Sequence, residues 1–379
     1  MQKKKICFVV AQPGTARSFL KGPIELLSEH FDVYLAANFS NNDDVSDMKL
    51  AGWKHIPIER RPSIGADIKA LKLLTKYFKE EHFEATHSIT KKASLLCCIA
   101  AKRAKVACRI HHFTGQMWST MTGFRRWFYR YLDVMMVKRD NHFLVDGYSQ
   151  QKYLEEHKVL KPGQSDVLGN GSICGANTVR FKTNNESRER IRKELNIADE
   201  TCVYIFLGRL KREKGINELY DAYNTILPQC PKSLLLLVGT DEEHCAERFG
   251  EYENFKEGNN VLFYGRTPKP EDLLNAADVF VLPTYREGFG LSVLEASCVG
   301  IPVICSDTYG VMDAMQDDVT GLRCKTYDVE TLANCMRKLY EDADLRKELG
   351  RNGTKYVQEK FSGEYMSQCW LQYYLENVK

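Results

Sequence analysis

Short apolar runs alternate along the chain with longer segments in which apolar residues recur at helical spacing. The runs of the first half are 6–11, 32–37, 55–58, 85–90, 107–113 and 142–147, and those of the second half are 203–208, 234–239, 261–265, 279–284, 302–306 and 321–324. Continuous apolar runs of this length are typical of strands that are buried on both faces. Strands that alternate with helices predict right-handed βαβ units, and therefore an α/β protein with parallel sheets.

Twelve strands are too many for one ordinary open sheet, so we expect the chain to be divided. Residues 168–181 are rich in Gly and Asn and are followed by a polar, helix-like segment. We predict two Rossmann-like, doubly wound domains over residues 1–175 and 176–361, and a C-terminal helix over 362–379 that packs back on the first domain. Ligands of open α/β sheets bind beyond the carboxyl ends of the strands, so we expect the site in a cleft between the domains.

The composition is that of a folded protein, with 44% hydrophobic and 27% charged residues. None of the 13 cysteines falls in a C-x-x-C pair, so zinc-ligand spacing is absent and reduced thiols in a cytosol are expected. The basic start meets Pro13 too soon to be a signal peptide, and no run of about 18 apolar residues predicts a membrane span.

Charge is unevenly distributed. Residues 1–170 carry 27 Lys and Arg against 17 Asp and Glu, whereas residues 171–379 carry 26 against 33. The first half therefore suits an anionic partner: a phosphorylated ligand, an anionic membrane or nucleic acid. No nucleic-acid-binding motif is present, so we expect no nucleic-acid partner. Alternatively, the excess of basic residues in residues 1–170 simply lies on solvent-exposed faces of helices.

The loop after the strand at 203–208 reads GRLKREKG over residues 208–215. Gly208 gives the backbone freedom, Arg209 and Lys214 supply cations, and a helix is predicted to begin near Ile216. These are the components of a phosphate-binding loop. The spacing matches neither a Walker A loop nor a G-x-G-x-x-G turn. An exposed basic turn is the alternative.

A second loop, REGFG at 286–290, follows the strand at 279–284. Gly288 and Gly290 permit close approach of the backbone to a ligand, and Glu287 stands between the strand and the next helix. Glu295 lies about one turn into that helix, with its carboxylate leaning back toward the helix start. Two carboxylates accept hydrogen bonds from sugar hydroxyls, whereas the basic loop favours phosphate. A nucleotide diphosphate sugar has both features.

GRLKREKG, LLLLVG, VLFYGR and DVFVLPTYREGFGLSVLEASCVGIPVICSD resemble the donor domain of retaining glycosyltransferases of family 4, which have the GT-B fold. Glu287 and Glu295 match the E-x7-E signature of that family. The resemblance covers nearly the whole chain and is sharpest over residues 203–325. It implies a glycosyltransferase with two Rossmann-like domains that face each other across a cleft.

The resemblance also implies roles for these residues. The donor diphosphate would be held by Arg209 and Lys214, and the donor sugar by Glu287. The ribose would be bound by Glu295 and the base would lie near Gly265 and Arg266. The remaining donor contacts would be made by the backbone of Gly208, Gly288, Phe289, Gly290 and Leu291.

The first half matches the family less closely. Gly14 and Thr15 form a glycine turn after the first strand, which in the family approaches the donor phosphate. His111 and His112 follow at the fifth strand, where the family carries a histidine beside the reacting sugar. Neighbouring residues of a strand alternate in facing, so only one of these histidines can enter the cleft, and the sequence does not say which. The family's His-Asp sequence pair is absent here.

On this interpretation Arg209 and Lys214 stabilise the leaving diphosphate, and the configuration of the transferred sugar is retained. The catalytic candidates are Arg209, Lys214, Glu287 and one of His111 and His112. Neither a metal ion nor another cofactor is expected, because the cations take that role. The single D-x-D, from Asp342 to Asp344, is interpreted as a turn or helix cap.

The acceptor is expected at a membrane. Arg125, Arg126 and Arg130 stand among aromatic residues in a segment that suits a lipid interface, and Lys91 and Lys92 stand at a predicted helix start where an anion could bind. Relatives that the chain resembles use UDP-hexoses or UDP-N-acetylhexosamines and build bacterial capsule and O-antigen glycans on polyprenyl diphosphate. We therefore expect a lipid-linked glycan acceptor and a peripheral protein on the cytoplasmic face of the membrane. A family-4 enzyme with a small water-soluble acceptor, a nucleotide-sugar-binding module without turnover, and inward-packing aromatics at 123–141 are the alternatives.

Overall fold

The computed structural model describes residues 3–59 and 63–379. The chain forms two compact units, one made of Met1–Gly175 together with Gly363–Lys379 and the other of Ala176–Ser362. Within the described residues, the sheet of the first unit has seven strands and that of the second has six, and every pairing is parallel. The predicted α/β class with doubly wound parallel sheets is confirmed.

The strands of the first unit have the order β3-β2-β1-β4-β5-β6-β7. Their bounds are β1 (Lys4–Val9), β2 (Phe31–Ala37), β3 (Gly52–His55), β4 (Ala85–Ser88), β5 (Cys108–Phe113), β6 (His142–Val145) and β7 (Asp166–Val167). The helices are α1 (Pro13–Phe19), α2 (Lys21–Leu27), α3 (Ile64–Glu81), α4 (Lys91–Ala104), α5 (Gly123–Val137) and α6 (Tyr148–Glu156). Alternate residues of β1 enter two separate cores, Ile6 and Phe8 in one and Cys7 and Val9 in the other, because both faces of the sheet are covered.

The second unit has the strand order β10-β9-β8-β11-β12-β13. Its elements are α7 (Asn185–Glu194), β8 (Cys202–Leu207), α8 (Ile216–Ile226), β9 (Ser233–Val238), β10 (Val261–Gly265), α9 (Pro270–Ala276), β11 (Val279–Leu282), α10 (Leu291–Cys298), β12 (Val303–Ser306), α11 (Val311–Ala314), β13 (Gly321–Cys324), α12 (Val329–Glu341) and α13 (Ala343–Lys360). Asp342 caps α13, since its side chain accepts a hydrogen bond from the Leu345 N–H at 2.8 Å. The chain order reverses between β8 and β11, which are neighbours in the sheet, and this is where open α/β sheets bind ligands.

The last helix, α14 (Gly363–Asn377), belongs to the first unit. Its Trp370 and Tyr374 side chains are fully buried in the same core as β1, and the Trp370 indole N–H donates to the Ile173 carbonyl at 2.8 Å. The second unit begins and ends at one place, because Ala176 forms a β-bridge with Ser362.

Two strands differ from the prediction. The third strand lies at Gly52–His55 rather than at 55–58, since Pro57 has no N–H to donate to a sheet ladder. Ile56 and Ile58 are nevertheless buried, which explains why the apolar pattern pointed there. The short β7 is additional, and it pairs with β6 through only two residues.

Candidate active site

Two loops come together at the carboxyl edge of the second sheet. Residues 208–215 connect β8 to α8, and residues 283–290 connect β11 to α10. The Glu213 carbonyl accepts the N–H of Tyr285 at 2.9 Å and the hydroxyl of Thr284 at 3.2 Å. The first loop is therefore attached to the second through its backbone.

Gly215 allows the loops to approach so closely. Its φ is +71°, and a Cβ built there would lie 2.0 Å from the Pro283 carbonyl oxygen. A similar restriction applies to Gly310, where a Cβ would lie 2.5 Å from the Gly288 carbonyl oxygen. Only glycine satisfies both the left-handed conformation and the contact.

Lys214 and Glu287 are brought into contact by this packing. The Lys214 ammonium donates to Glu287 Oε1, and the two side chains are only 13% and 20% exposed. Arg286 Nη2 lies 2.8 Å from Glu213 Oε2. The neighbours Glu213 and Lys214 of the first loop thus pair with the neighbours Arg286 and Glu287 of the second loop, respectively.

Arg209 is more exposed than Lys214 and also has acidic neighbours. Its Nη1 lies 3.4 Å from Glu242 Oε2 and its Nη2 lies 3.9 Å from Glu213 Oε1. Lys211 Nζ lies 2.8 Å from the same Glu242 oxygen, and its hydrogen bond is the largest cause of the lowered pKa of Glu242. The cations of the basic loop are therefore held in place by carboxylates.

Glu295 lies in the first half of α10, as predicted from its spacing. Burial raises the pKa of its carboxyl to about 7, although the positive charge of Arg180 acts in the opposite direction. The carboxyl therefore titrates near neutral pH, which is common at functional sites.

The glycines of neighbouring strand ends pack backbone against backbone. The Gly239 N–H donates to the Gly265 carbonyl at 2.9 Å, and a Cβ at Gly239 would lie 1.7 Å from the Gly208 carbonyl oxygen. Arg266 follows β10 directly and is exposed. Phe289 is buried and its ring lies 5.3 Å from that of Phe361, so only its backbone is available to a ligand.

Backbone groups complete the second loop. Gly290 precedes α10 with a φ of +80°, and Leu291 is the first residue of the helix. The N–H groups at the start of a helix have no partner within it and carry a partial positive charge.

In the first unit, Gly14 and Thr15 lie in the first turn of α1 rather than in an open glycine turn. Pro13 starts this helix because its missing N–H costs nothing at the first helical position. The Thr15 N–H donates to the Gln12 carbonyl at 3.0 Å. Beyond the helix turn itself, no atom of residues 3–59 and 63–379 lies within 4 Å of a Cβ placed on Gly14.

His111 and His112 are both buried, in different surroundings. His111 Nδ1 lies 3.4 Å from Ser88 Oγ, and burial lowers the pKa of this histidine to about 3. The His112 ring lies 5.7 Å from that of Trp370, and its Nε2 lies 3.0 Å from Asp146 Oδ1, although the angles are not those of a hydrogen bond. A His–Asp contact is thus made in space by residues 34 positions apart in the sequence.

Lys91 and Lys92 join three helices. Lys91 Nζ lies 3.3 Å from Asp133 Oδ1 of α5, and Lys92 Nζ lies 2.6 Å from Asp67 Oδ1 of α3. Lys91 also lies over the Tyr129 ring at 5.6 Å. Both lysines therefore form ion pairs that link the start of α4 to neighbouring helices.

The three arginines of α5 differ. Arg126 Nη1 donates to the Ser119 carbonyl at 3.1 Å, and Arg130 Nε donates to the His157 carbonyl at 2.7 Å. Arg125 is exposed. Across residues 3–59 and 63–379, no helix is both long enough and apolar enough to cross a bilayer.

Sequence reasoning missed Glu213, Arg286 and Asp146. Glu213 and Arg286 could have been noticed, since each is the oppositely charged neighbour of a predicted site residue. Asp146 lies within the sixth predicted strand, 142–147, and directly follows the observed β6. Because β6 pairs with β5, which carries the histidines, the neighbouring position of the two strands was the available signal.

Residues 187–356 match the family described as Glycosyl transferases group 1. The chain is similar to the capsular polysaccharide biosynthesis glycosyltransferase CapM of Staphylococcus aureus, with 28% identity over 372 residues that cover 96% of this chain and 95% of the relative. It is 25% identical over 350 residues to the UDP-Gal:alpha-D-GlcNAc-diphosphoundecaprenol alpha-1,3-galactosyltransferase of Escherichia coli, covering 90% of this chain and 89% of that one. Among solved structures, Anabaena HepE in complex with UDP and glucose has a TM-score of 0.81 and 17% identity, covering 98% of this chain and 100% of that one.

These similarities agree with the two parallel sheets and with the loops at their carboxyl ends. The similarity to the solved structure is evidence for the GT-B fold but not for the activity. The family match and the relatives of similar length are evidence for glycosyltransferase activity. The chain is a glycosyltransferase with the GT-B fold, and its residues 187–356 form a domain that matches Glycosyl transferases group 1.

Proposed function

We propose that the chain is a retaining glycosyltransferase that moves a hexosyl or N-acetylhexosaminyl group from a UDP-sugar to a hydroxyl of a glycan carried on polyprenyl diphosphate, in the synthesis of a bacterial surface polysaccharide. The contact between Lys214 and Glu287 carries this proposal, because it brings a cation and a carboxylate together at a switch point of the sheet. A ligand that satisfies both groups has negative charge next to hydroxyls, as a nucleotide sugar does.

The donor is proposed to bind along the two loops. Lys214 and Arg209 bind the diphosphate, and the N–H groups at the start of α10 add their partial positive charge. Glu287 accepts hydrogen bonds from the transferred sugar and Glu295 from the ribose. The base lies near Gly265 and Arg266.

The chemical step breaks the bond between the anomeric carbon and the diphosphate. Negative charge develops on the leaving group, and fixed cations at that position lower the barrier because they need no reorganisation. The acceptor hydroxyl then bonds to the anomeric carbon on the face that the diphosphate leaves and gives its proton to the departing diphosphate oxygen, so that configuration is retained. Because Lys214 and Arg209 carry the charge, the proposal requires no metal ion.

The relatives support a lipid-linked acceptor. The Escherichia coli relative is named for an acceptor on diphosphoundecaprenol, and the Staphylococcus aureus relative for capsular polysaccharide biosynthesis. Both align with most of this chain, including the first unit, to which we assign the acceptor. We place the protein at the cytoplasmic face of the membrane as a peripheral enzyme.

The exposed face of α5 supports attachment to a bilayer. Phe124 and Trp127 are 75% and 54% exposed, and Phe128 and Tyr131 are also exposed. The rings of Trp127 and Tyr131 stack at 5.7 Å, so the face is preorganised. Aromatic rings beside the exposed Arg125 suit the headgroup layer of an anionic membrane.

Helix α3 adds a second apolar surface in the same unit. Ile64 is 83% exposed and Ile68 stands one turn further along the same face. Lys72 and Lys79 continue that exposed face. Because Lys91 and Lys92 tie α4 to α5 and α3, the two surfaces have a fixed relationship within the unit.

The test begins with thermal shifts of the purified chain in a panel of UDP-sugars, since a ligand of the native state raises stability. The stabilising donor is then supplied with an acceptor sugar on undecaprenyl diphosphate or with the same sugar free in water, and products are identified by mass spectrometry. Transfer to the lipid-linked sugar is expected. Transfer to the free sugar alone contradicts the acceptor assignment, and binding without any transfer contradicts enzymatic turnover.

A further inference from the structure

Glu213 and Arg286 form an ion pair beside the proposed catalytic pair. Glu213 precedes Lys214 in a 3-10 turn over Arg212–Lys214, and Arg286 precedes Glu287. Arg286 Nη2 lies 2.8 Å from Glu213 Oε2. The two ion pairs lie side by side between the loops. The first loop supplies the carboxylate of the Glu213–Arg286 pair and the cation of the Lys214–Glu287 pair.

Glu213 attaches the loops at three points. Besides its carboxylate, its backbone carbonyl accepts hydrogen bonds from the Tyr285 N–H and the Thr284 hydroxyl. Lys214 is the next residue, so its backbone has little freedom relative to the second loop.

The environment keeps Glu213 ionised. Burial raises the pKa of its carboxyl, but the hydrogen bond and charge of Arg286 together with the charges of Lys214 and Lys211 outweigh this, and the pKa is lowered overall. Arg286 Nε is buried and has no hydrogen-bond partner among the residues that the structure describes. The guanidinium therefore depends on Glu213, and loss of either partner leaves a partly buried charge without compensation.

We infer that Glu213 and Arg286 are positioning residues that set the distance between Lys214 and Glu287. This inference rests on the proposed function, in which Lys214 stabilises the leaving diphosphate and Glu287 binds the transferred sugar. Catalysis depends on that geometry more steeply than donor binding does, because a displacement of about 1 Å can cost on the order of 10² in rate. The affinity for donor also rests on Glu295 and on Arg209, whose closer carboxylate partner is Glu242 rather than Glu213.

The experiment compares Glu213→Gln, Arg286→Met and the double variant. Turnover is measured at saturating donor, and donor dissociation constants are measured by calorimetry. Each single variant is expected to lower kcat about tenfold or more and to change the dissociation constant by less than about threefold. The double variant should be no worse than the poorer single variant, since both remove the same interaction.

Two further variants distinguish a positioning role from a folding defect and from the loss of any surface ion pair. Arg286→Lys retains the charge and should recover part of the lost kcat, which a general folding defect would not allow. Arg190→Met removes an ion pair of the same 2.8 Å length, between Arg190 Nη2 and Asp272 Oδ2, and should leave kcat within about twofold of wild type.

The outcomes separate the two proposals. Wild-type transfer with unchanged kcat in both single variants, or losses that multiply in the double variant, overturns the positioning role. A tenfold loss of donor affinity with unchanged kcat also overturns it, because that pattern indicates direct contact with the donor. If the wild type transfers no sugar from any nucleotide donor, the proposed function is contradicted first and this inference falls with it.

Discussion

The α-carbon of Gly215 packs directly against the carbonyl oxygen of Pro283. A methyl group at that α-carbon would lie 2.0 Å from the oxygen, and the backbone there is left-handed with a φ of +71°. Through this contact the loop after β8 reaches the loop after β11, and the proposed phosphate-binding cation reaches the carboxylate.

Gly215→Ala is expected to destabilise the protein by roughly 2–4 kcal/mol, because a side chain meets both strain and a fixed backbone oxygen. Urea unfolding measures this change. Gly65→Ala is the matched control, since no atom of the described residues beyond its own helix turn lies within 4 Å of a Cβ there and Gly65 is in the first turn of α3. A Gly215→Ala protein as stable as the control variant would contradict the close approach of the two loops.

Lys214→Met is expected to lower kcat by a factor on the order of 10²–10³, since one fixed cation at the leaving group is lost. Initial rates with the donor identified by thermal shift measure the effect. Lys232→Met removes a lysine of the same unit that is 65% exposed and should have wild-type activity. Equal rates for the two variants would argue against the leaving-group role of Lys214.

Glu295→Gln is expected to raise stability at pH 8 while weakening donor binding. A carboxyl whose pKa is raised by folding binds its proton more tightly in the native state, so stability falls as pH rises from about 4.5 to about 7 and stays lower above that range. Glutamine removes this cost, which amounts to roughly 1–3 kcal/mol, but accepts fewer hydrogen bonds from ribose.

The raised pKa of the Glu295 carboxyl also predicts that donor binding depends on pH. The carboxylate form accepts the ribose hydroxyls, so wild-type affinity for donor should weaken as pH falls below about 7. Calorimetry between pH 8 and pH 5 measures this, and the Glu295→Gln protein should have a flatter profile. The same dependence of donor affinity on pH in the wild-type and Glu295→Gln proteins would contradict the assignment of Glu295 to donor binding.

Trp127→Ser combined with Phe124→Ser is expected to reduce sedimentation with vesicles that contain an anionic lipid by about tenfold or more, because two exposed rings are removed from the proposed membrane surface. Trp53→Ser is the control, since Trp53 lies in β3 and is 57% exposed, close to the value for Trp127. Transfer to a water-soluble acceptor analogue should be unaffected. Sedimentation equal to that of the control would contradict the role of α5.

Much of the fold was predictable, because fully buried parallel strands leave continuous apolar runs. The run at 203–208 overlaps the observed strand Cys202–Leu207, and the run at 279–284 contains Val279–Leu282. The loops after these strands carry Lys214 and Glu287, which are in contact. Adjacent parallel strands end at the same edge, so a cation after one and a carboxylate after the other were expected to be neighbours. The third strand was misplaced by a few residues, since Ile56 and Ile58 are buried without belonging to it.

Side-chain partners were not predictable to the same degree. A sequence shows that Lys91 and Lys92 stand at a helix start, but only packing shows that Asp133 and Asp67 are close enough to engage them. The contact of His112 with Asp146 has the same origin, since it depends on the register of β5 and β6. Long charged side chains reach several positions, and tertiary structure selects one.

The β-bridge between Ala176 and Ser362 gives the second unit adjacent ends. The two points at which this unit joins the rest of the chain are therefore neighbours in space, and they enclose the whole segment to which we assign the nucleotide sugar. A recombination event at those two points would exchange this segment as a block and leave the first unit with its own last helix, α14. On this assignment, a new donor specificity would arise by exchange of one segment, without stepwise change inside either core.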